Sequence, residues 1–161
     1  MTHPIFARLD QQLAAAEAEL RNLEHSHARS EALRTGHPKL YDEWTHRSAL
    51  AEGIRSVFTG LEGVMAAVAT EIDGYEAPAA GGWHEKLVDQ MAVPIDGVRE
   101  ALLDANLRAM LHELRRFRHV LHHNYAQHLD TKRVLENYRL LRKAFAAFKA
   151  AYRKLSAALQ G

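Results

Sequence analysis

The spacing of apolar residues predicts an all-α fold: an up-and-down bundle of four long helices plus one short helix. Two features carry this expectation. Apolar side chains recur three and four residues apart through successive segments, and no run shows the period of two that a half-buried strand requires. With 161 residues the chain is long enough to bury a sizeable core as a single domain, without disulfide or metal staples.

The first helix is expected over about residues 5–34, where Phe6, Leu9, Leu13, Ala16, Leu20 and Leu23 form a narrow heptad seam in Ala- and Glu-rich surroundings. Thr35-Gly36-His37-Pro38 ends it, because Gly suits the position past the last turn and Pro cannot continue a helix. A second helix follows over residues 41–73. Leu50, Ile54, Val57, Leu61, Val64 and Val68 make one stripe, and Phe58, Met65 and Ile72 make a second beside it. Two apolar stripes place this helix near the middle of the bundle. Gly53, Gly60 and Gly63 each weaken it slightly and allow close helix approach.

Residues 74–82, rich in Gly, Ala and Pro, have the composition of a flexible loop and are the segment expected to move. Trp83 to Ala92 reads as the short helix, with Trp83 as a hydrophobic plug beside the loop, and the Val93-Pro94-Ile95-Asp96-Gly97 turn stops it. Asp104 is the expected N-cap of a helix from about Ala105 to His128, whose stripe runs Leu107, Met110, Leu114, Phe117 and Leu121. Asp130 caps the last helix, about Thr131 to Leu159, which buries Val134, Tyr138, Leu141, Phe145, Phe148, Tyr152, Leu155 and Leu159.

Composition narrows the chemistry. There is no cysteine, so disulfides, thiolate metal sites and Cys nucleophiles are excluded, which suits a reducing cytoplasm. The N-terminus lacks a basic region followed by an apolar run, and no apolar stretch is long enough to span a bilayer, so a cytoplasmic protein without membrane contact is expected. The formal charge of +1 hides an asymmetry: residues 1–98 carry 8 Lys/Arg against 15 Asp/Glu, while residues 99–161 carry 13 against 5. Such a split either offers a basic face to RNA, a nucleotide or an acidic partner, or lets the two halves neutralise each other across the bundle.

The densest chemistry lies in Arg115-Arg116-Phe117-Arg118-His119-Val120-Leu121-His122-His123-Asn124-Tyr125. At about 100° per residue, Arg118 sits roughly 60° from the edge of a core stripe through Leu114 and Leu121. Further round come His122, Arg115, His119, His112, His123 and Arg116. Arg supplies a permanent charge whose fork fits a phosphate, and His supplies a proton donor and acceptor near neutral pH. Those are the two parts needed to cleave a phosphodiester without a metal.

Arg118-His119-Val120-Leu121-His122-His123-Asn124-Tyr125 resembles the Arg-x4-His-x-Tyr motif of HEPN-domain ribonucleases, specifically the HepT-like toxins that pair with minimal nucleotidyltransferase antitoxins. Trp83-His84-Glu85-Lys86-Leu87, with Gln90-Met91 and Pro94 to Arg99, also resembles a recurring block of such chains. The likeness covers roughly residues 40–159, with the long first helix as an addition to a single HepT-like domain over 1–161.

The resemblance implies a metal-independent endoribonuclease of a type II-like toxin-antitoxin pair, a homodimer with a composite site between facing motif helices. It implies Arg118 and His123 as catalytic residues and Tyr125 as the residue to which the antitoxin transfers AMP; beside them, His122, His119 and Asn124 are candidates for a catalytic or supporting role, and Arg115 and Arg116 for RNA contact. RNA is the expected substrate because the 2′-hydroxyl takes part in the chemistry. No cofactor is expected. The chain has His119 where many relatives have Asn. On an ideal helix Arg118 and His123 are roughly 140° apart, whereas Arg118 and His122 are neighbours at i and i+4. The motif therefore selects His123 and the helix His122, unless the helix end is distorted or Arg and His meet across the dimer.

Two further patterns bear on metal binding. His119 and His123, at i and i+4, have metal-sharing spacing but no evident third ligand. Glu24-x-x-His27 and Glu43-x-x-His46 have the form of a di-iron bundle motif, yet sit near the first interhelical turn, so no metal is expected. The rival to a nuclease is a non-catalytic helper of the same fold that binds a nucleotidyltransferase or a nucleotide.

Overall fold

The computed structural model describes residues 3–76, 81–123 and 129–161 of the chain. Its elements are α1 (Pro4–Gly36), α2 (Glu43–Ala67), which continues into one π turn (Val68–Ile72), α3 (Trp83–Met91), α4 (Ala105–His123) and α5 (Thr131–Gln160). The all-α bundle of four long helices and one short one is as expected, and no strand occurs among the described residues.

Alternate directions follow from which residues meet. Along α1, Arg8 pairs with Glu71, Ala16 faces Gly60 and His27 faces His46, so α1 and α2 run antiparallel. Asp10 with Tyr152, Glu17 with Lys149 and Glu24 with Arg142 give the same relation between α1 and α5. The starts of α2 and α5 meet where Arg47 reaches Thr131 at 3.4 Å. Leu107 at the start of α4 shares a groove with Leu155 near the end of α5.

The α1 seam is buried at all six positions from Phe6 to Leu23, and both α2 stripes are buried down to Met65 and Val68, with Ile72 only partly covered. Close approach explains two glycines. A Cβ on Gly60 would lie 2.8 Å from the Ala16 Cβ, and one on Gly53 would strike the end of the Leu23 side chain, whereas Gly63 faces open space. Asp104 accepts from the Leu107 N–H at 2.8 Å and Asp130 from the Lys132 N–H at 3.0 Å, so both caps are in place.

Three local readings change. Gly36 is the last residue of α1, not a left-handed residue beyond it; positive φ occurs at Gly74, Gly82 and Gly97. On α4 the covered stripe is Leu107, Leu111, Leu114 and Phe117, while Met110 is half-buried. Leu159 at the end of α5 is 36% exposed. The expected extension of α4 to His128, and the middle of the mobile-loop expectation over 74–82, fall on residues 124–128 and 77–80, outside the described residues.

After its π turn, α2 leaves Asp73 against Arg99, with both side chains enclosed. The guanidinium donates to both Asp73 oxygens and to the carbonyls of Gln90, Val93 and Glu100 at 2.7–3.3 Å, and Gln90 also donates to Asp73. All five of its N–H donors are used, which makes the burial of this charge tolerable. The pair ties the turn after α3 to the end of α2.

Candidate functional site

On the Arg/His helix, Arg118 is held against the bundle. Leu111 belongs to the buried stripe, and Arg118 lies two turns on, about 20° away around the helix, so its side chain starts inward. There it meets Glu62, a carboxylate on α2 that is only 5% exposed. Both terminal guanidinium nitrogens donate to Glu62, Nη2 to Oε2 at 3.1 Å and Nη1 to Oε1. The Phe58 ring, one turn earlier on α2, lies 5.1 Å beneath the guanidinium carbon. Desolvation lowers the Arg118 pKa, with Arg55 adding to it, but a guanidinium starts high enough to stay charged.

From the other side, His84 of α3 brings Nδ1 to 3.4 Å from Glu62 Oε2. The Trp83 block thus meets the Arg118 helix at one carboxylate. Trp83 itself is half-buried against the core, as expected of a plug. Glu62 and His84 were not singled out by the sequence. The signal for Glu62 is present, however: it falls at i+4 from Phe58 and three before Met65, on an apolar stripe where a lone acid needs a buried partner.

His119, His122 and His123 are exposed on the last turns of α4. The rings of His119 and His123 meet edge-on with centroids 4.2 Å apart. Among the described residues, Arg118 has no hydrogen bond or ion pair to His122 or His123 within the chain. Asn124 and Tyr125 lie outside the described residues.

The rest of the basic face is largely met inside the bundle. Arg115 points at Glu85 of α3 (3.6 Å), and its Nε is buried without a partner. Arg116 pairs with Glu113 on its own helix at 2.9 Å. Asp89 of α3 accepts from Arg108 and sits 2.7 Å from His112 Nε2, so its carboxyl is held below the usual range, chiefly by the His112 contact. Arg142 with Glu24 and Lys149 with Glu17 do the same on the far side. Much of the charge split therefore neutralises itself across helices.

A second group of chemically capable side chains lies at the other end. His27, Glu31 and His46 bring ligand atoms within 4.8 Å of one another. Glu24 and Glu43, the acids of the two Glu-x-x-His patterns, go elsewhere, to Arg142 and to Thr131.

A family model described as HepT-like protein matches residues 49–159. Comparison with curated proteins and with solved structures gives no match. The matched span runs from early α2 to the end of α5, includes Glu62, His84 and the whole of α4, and leaves α1 outside. It covers well over half of the chain, and the protein belongs to the HepT-like family.

Proposed function

We propose that this chain is an endoribonuclease toxin that cuts RNA without a metal, acts as a homodimer, and is silenced by a nucleotidyltransferase partner that transfers AMP to Tyr125. The observation that carries this reading is an Arg118 fixed in orientation, with exposed imidazoles on the next turn, inside the span matched by the HepT-like model.

Glu62 takes one hydrogen from each terminal nitrogen of Arg118. Three N–H donors remain for a phosphate oxygen, and the ion pair holds the fork still while they act. In the reaction the ribose 2′-oxygen attacks phosphorus and its proton passes to an imidazole. The bond from phosphorus to the 5′-oxygen breaks, and that oxygen gains a proton. The products are a 2′,3′-cyclic phosphate and a 5′-hydroxyl, with no net oxidation or reduction. His123 is the proton-transfer group by its match to the motif, and His122 is its rival. Since neither hydrogen-bonds to Arg118 within one chain, the reading puts the working imidazole across the dimer. His119 and Asn124 support the site, and Arg115 and Arg116 contact RNA once their intrachain carboxylates are displaced.

Expression without a partner tests this: the wild type should arrest growth and degrade RNA, and Arg118→Ala and His123→Ala should do neither. Co-expression with a neighbouring nucleotidyltransferase should add the mass of AMP to the Tyr125 peptide and leave Tyr125→Phe unmodified. A wild-type chain that neither slows growth nor degrades RNA defeats the proposal. The internal pairing of Arg115, Arg116 and Arg118 favours the second reading, a helper that binds a nucleotidyltransferase or a nucleotide without cutting. That helper should keep its partner when Arg118 or His123 is replaced.

A further inference from the structure

The end of the bundle where α1 turns into α2 holds a donor set that the nuclease reading does not use. His27 sits two turns from the end of α1, Glu31 follows one turn later on the same face, and His46 comes back from the first turn of α2. His27 Nδ1 and His46 Nε2 are 2.9 Å apart, with their rings stacked at a centroid distance of 5.1 Å. Tyr138 of α5 closes one side, 4.7 Å from the His27 ring. His46 is 2% exposed, and its other nitrogen, Nδ1, lies 3.1 Å from the Tyr41 hydroxyl.

Two nitrogen lone pairs aimed at each other repel unless something lies between them. A proton on either nitrogen is one solution. A cation is the other. Zinc at about 2.0–2.1 Å from each of two nitrogens in a tetrahedron separates them by about 3.3 Å, within a few tenths of an ångström of the spacing here. Burial pushes both imidazoles below their usual pKa. With the Tyr41 hydroxyl as acceptor for Nδ1–H of His46, Nε2 is left bare and the ring is fixed, the arrangement that metal-bound histidines use.

We propose that His27, Glu31 and His46 bind one divalent transition-metal ion, zinc by preference, as a clip that joins α1 to α2. Two imidazoles and a carboxylate suit zinc and its first-row neighbours and not calcium or magnesium, which take oxygen ligands. A water from the open pocket lined by Arg34, Tyr41 and Arg139 fills the fourth position. Arg34 now holds both Glu31 oxygens, at 3.2 and 2.8 Å, and must yield one of them to the metal. The two arginines oppose a cation, so affinity comes from the imidazoles and the freed carboxylate. All three ligands precede the HepT-like span of residues 49–159, which makes the clip a property of the α1–α2 junction, independent of the nuclease reading.

The test uses the full chain, made without a histidine tag, loaded with zinc, passed over a chelating resin and assayed for metal by mass spectrometry. Cobalt substitution followed by visible absorption reports the coordination. The wild type should retain about one zinc per chain and give the intense visible bands of tetrahedral cobalt. His27→Gln and Glu31→Gln should lower affinity about tenfold or more, with helical circular dichroism unchanged. Arg34→Gln, which frees the carboxylate, should raise it. His119→Gln/His123→Gln should leave binding intact. Failure of the wild type to retain zinc, or equal retention by wild type, His27→Gln and Glu31→Gln, would overturn the proposal and leave a simple histidine–histidine hydrogen bond.

Discussion

Glu62 and Arg118, 56 residues apart in sequence, form a two-pronged ion pair over the Phe58 ring and so join α2 to α4. The same pair holds the Arg118 guanidinium against the core.

Breaking it from one side leaves a buried charge without its partner. Arg118→Ala should therefore cost about 3–5 kcal/mol of stability, and Glu62→Ala a comparable amount. The double variant should be clearly more stable than the sum of the two losses implies, because neither charge is stranded. Urea denaturation of the four proteins checks this. Simple additivity would mean that the pair is not coupled.

The α1–α2 contact makes an ordered prediction for three glycines. Gly60→Ala should cost about 1–3 kcal/mol, because its methyl meets the Ala16 Cβ and only separation of the helices relieves it. Gly53→Ala should cost less, since the end of Leu23 can turn away. Gly63→Ala should stabilise by about 0.5–1 kcal/mol, as its Cβ meets nothing and the unfolded chain loses freedom. Thermal melts that place Gly63→Ala below Gly60→Ala would contradict the close approach.

Asp89 gives a pH prediction. His112 and Arg108 hold its carboxyl below the usual value of 3.8, so the unfolded chain takes up the proton at higher pH than the folded one. The contribution is present above that value and disappears as pH falls through the lower folded pKa. The Asp89 side chain is 48% exposed, so the effect stays under about 1 kcal/mol. Asp89→Asn should be slightly less stable than wild type in urea at pH 7, and the gap should narrow under strong acid. A gap that widens in acid would be the wrong sign.

What could be read from the sequence depended on how local each cause is. The α1 seam and the two aspartate caps follow from spacing and from side chains that bond their own backbone, so they stand where the pattern puts them. In α4, Met110 and Leu111 both satisfy the three-and-four spacing from Leu107 to Leu114, and periodicity alone cannot choose between them. Packing against the bundle chose Leu111, and that choice turns Arg118 inward. The partner of Glu62, the pairing of Asp73 with Arg99, and the His27–Glu31–His46 group are set by contacts between distant segments, which no spacing rule contains. Of the two Glu-x-x-His patterns, the histidines meet each other while their acids turn to Arg142 and Thr131.

The central claim is that Arg118 and an imidazole of the α4 end cut RNA through its 2′-hydroxyl. The most direct measurement is cleavage of a labelled RNA by purified protein in magnesium-free buffer, beside the same strand carrying 2′-deoxyribose throughout. The wild type should cut only the RNA and leave 2′,3′-cyclic phosphate ends. Arg118→Lys and His123→Gln should each lose about 100-fold or more in rate, while His122→Gln stays near wild type. Cleavage of the deoxy strand, or full activity in both the Arg118 and His123 variants, would contradict it.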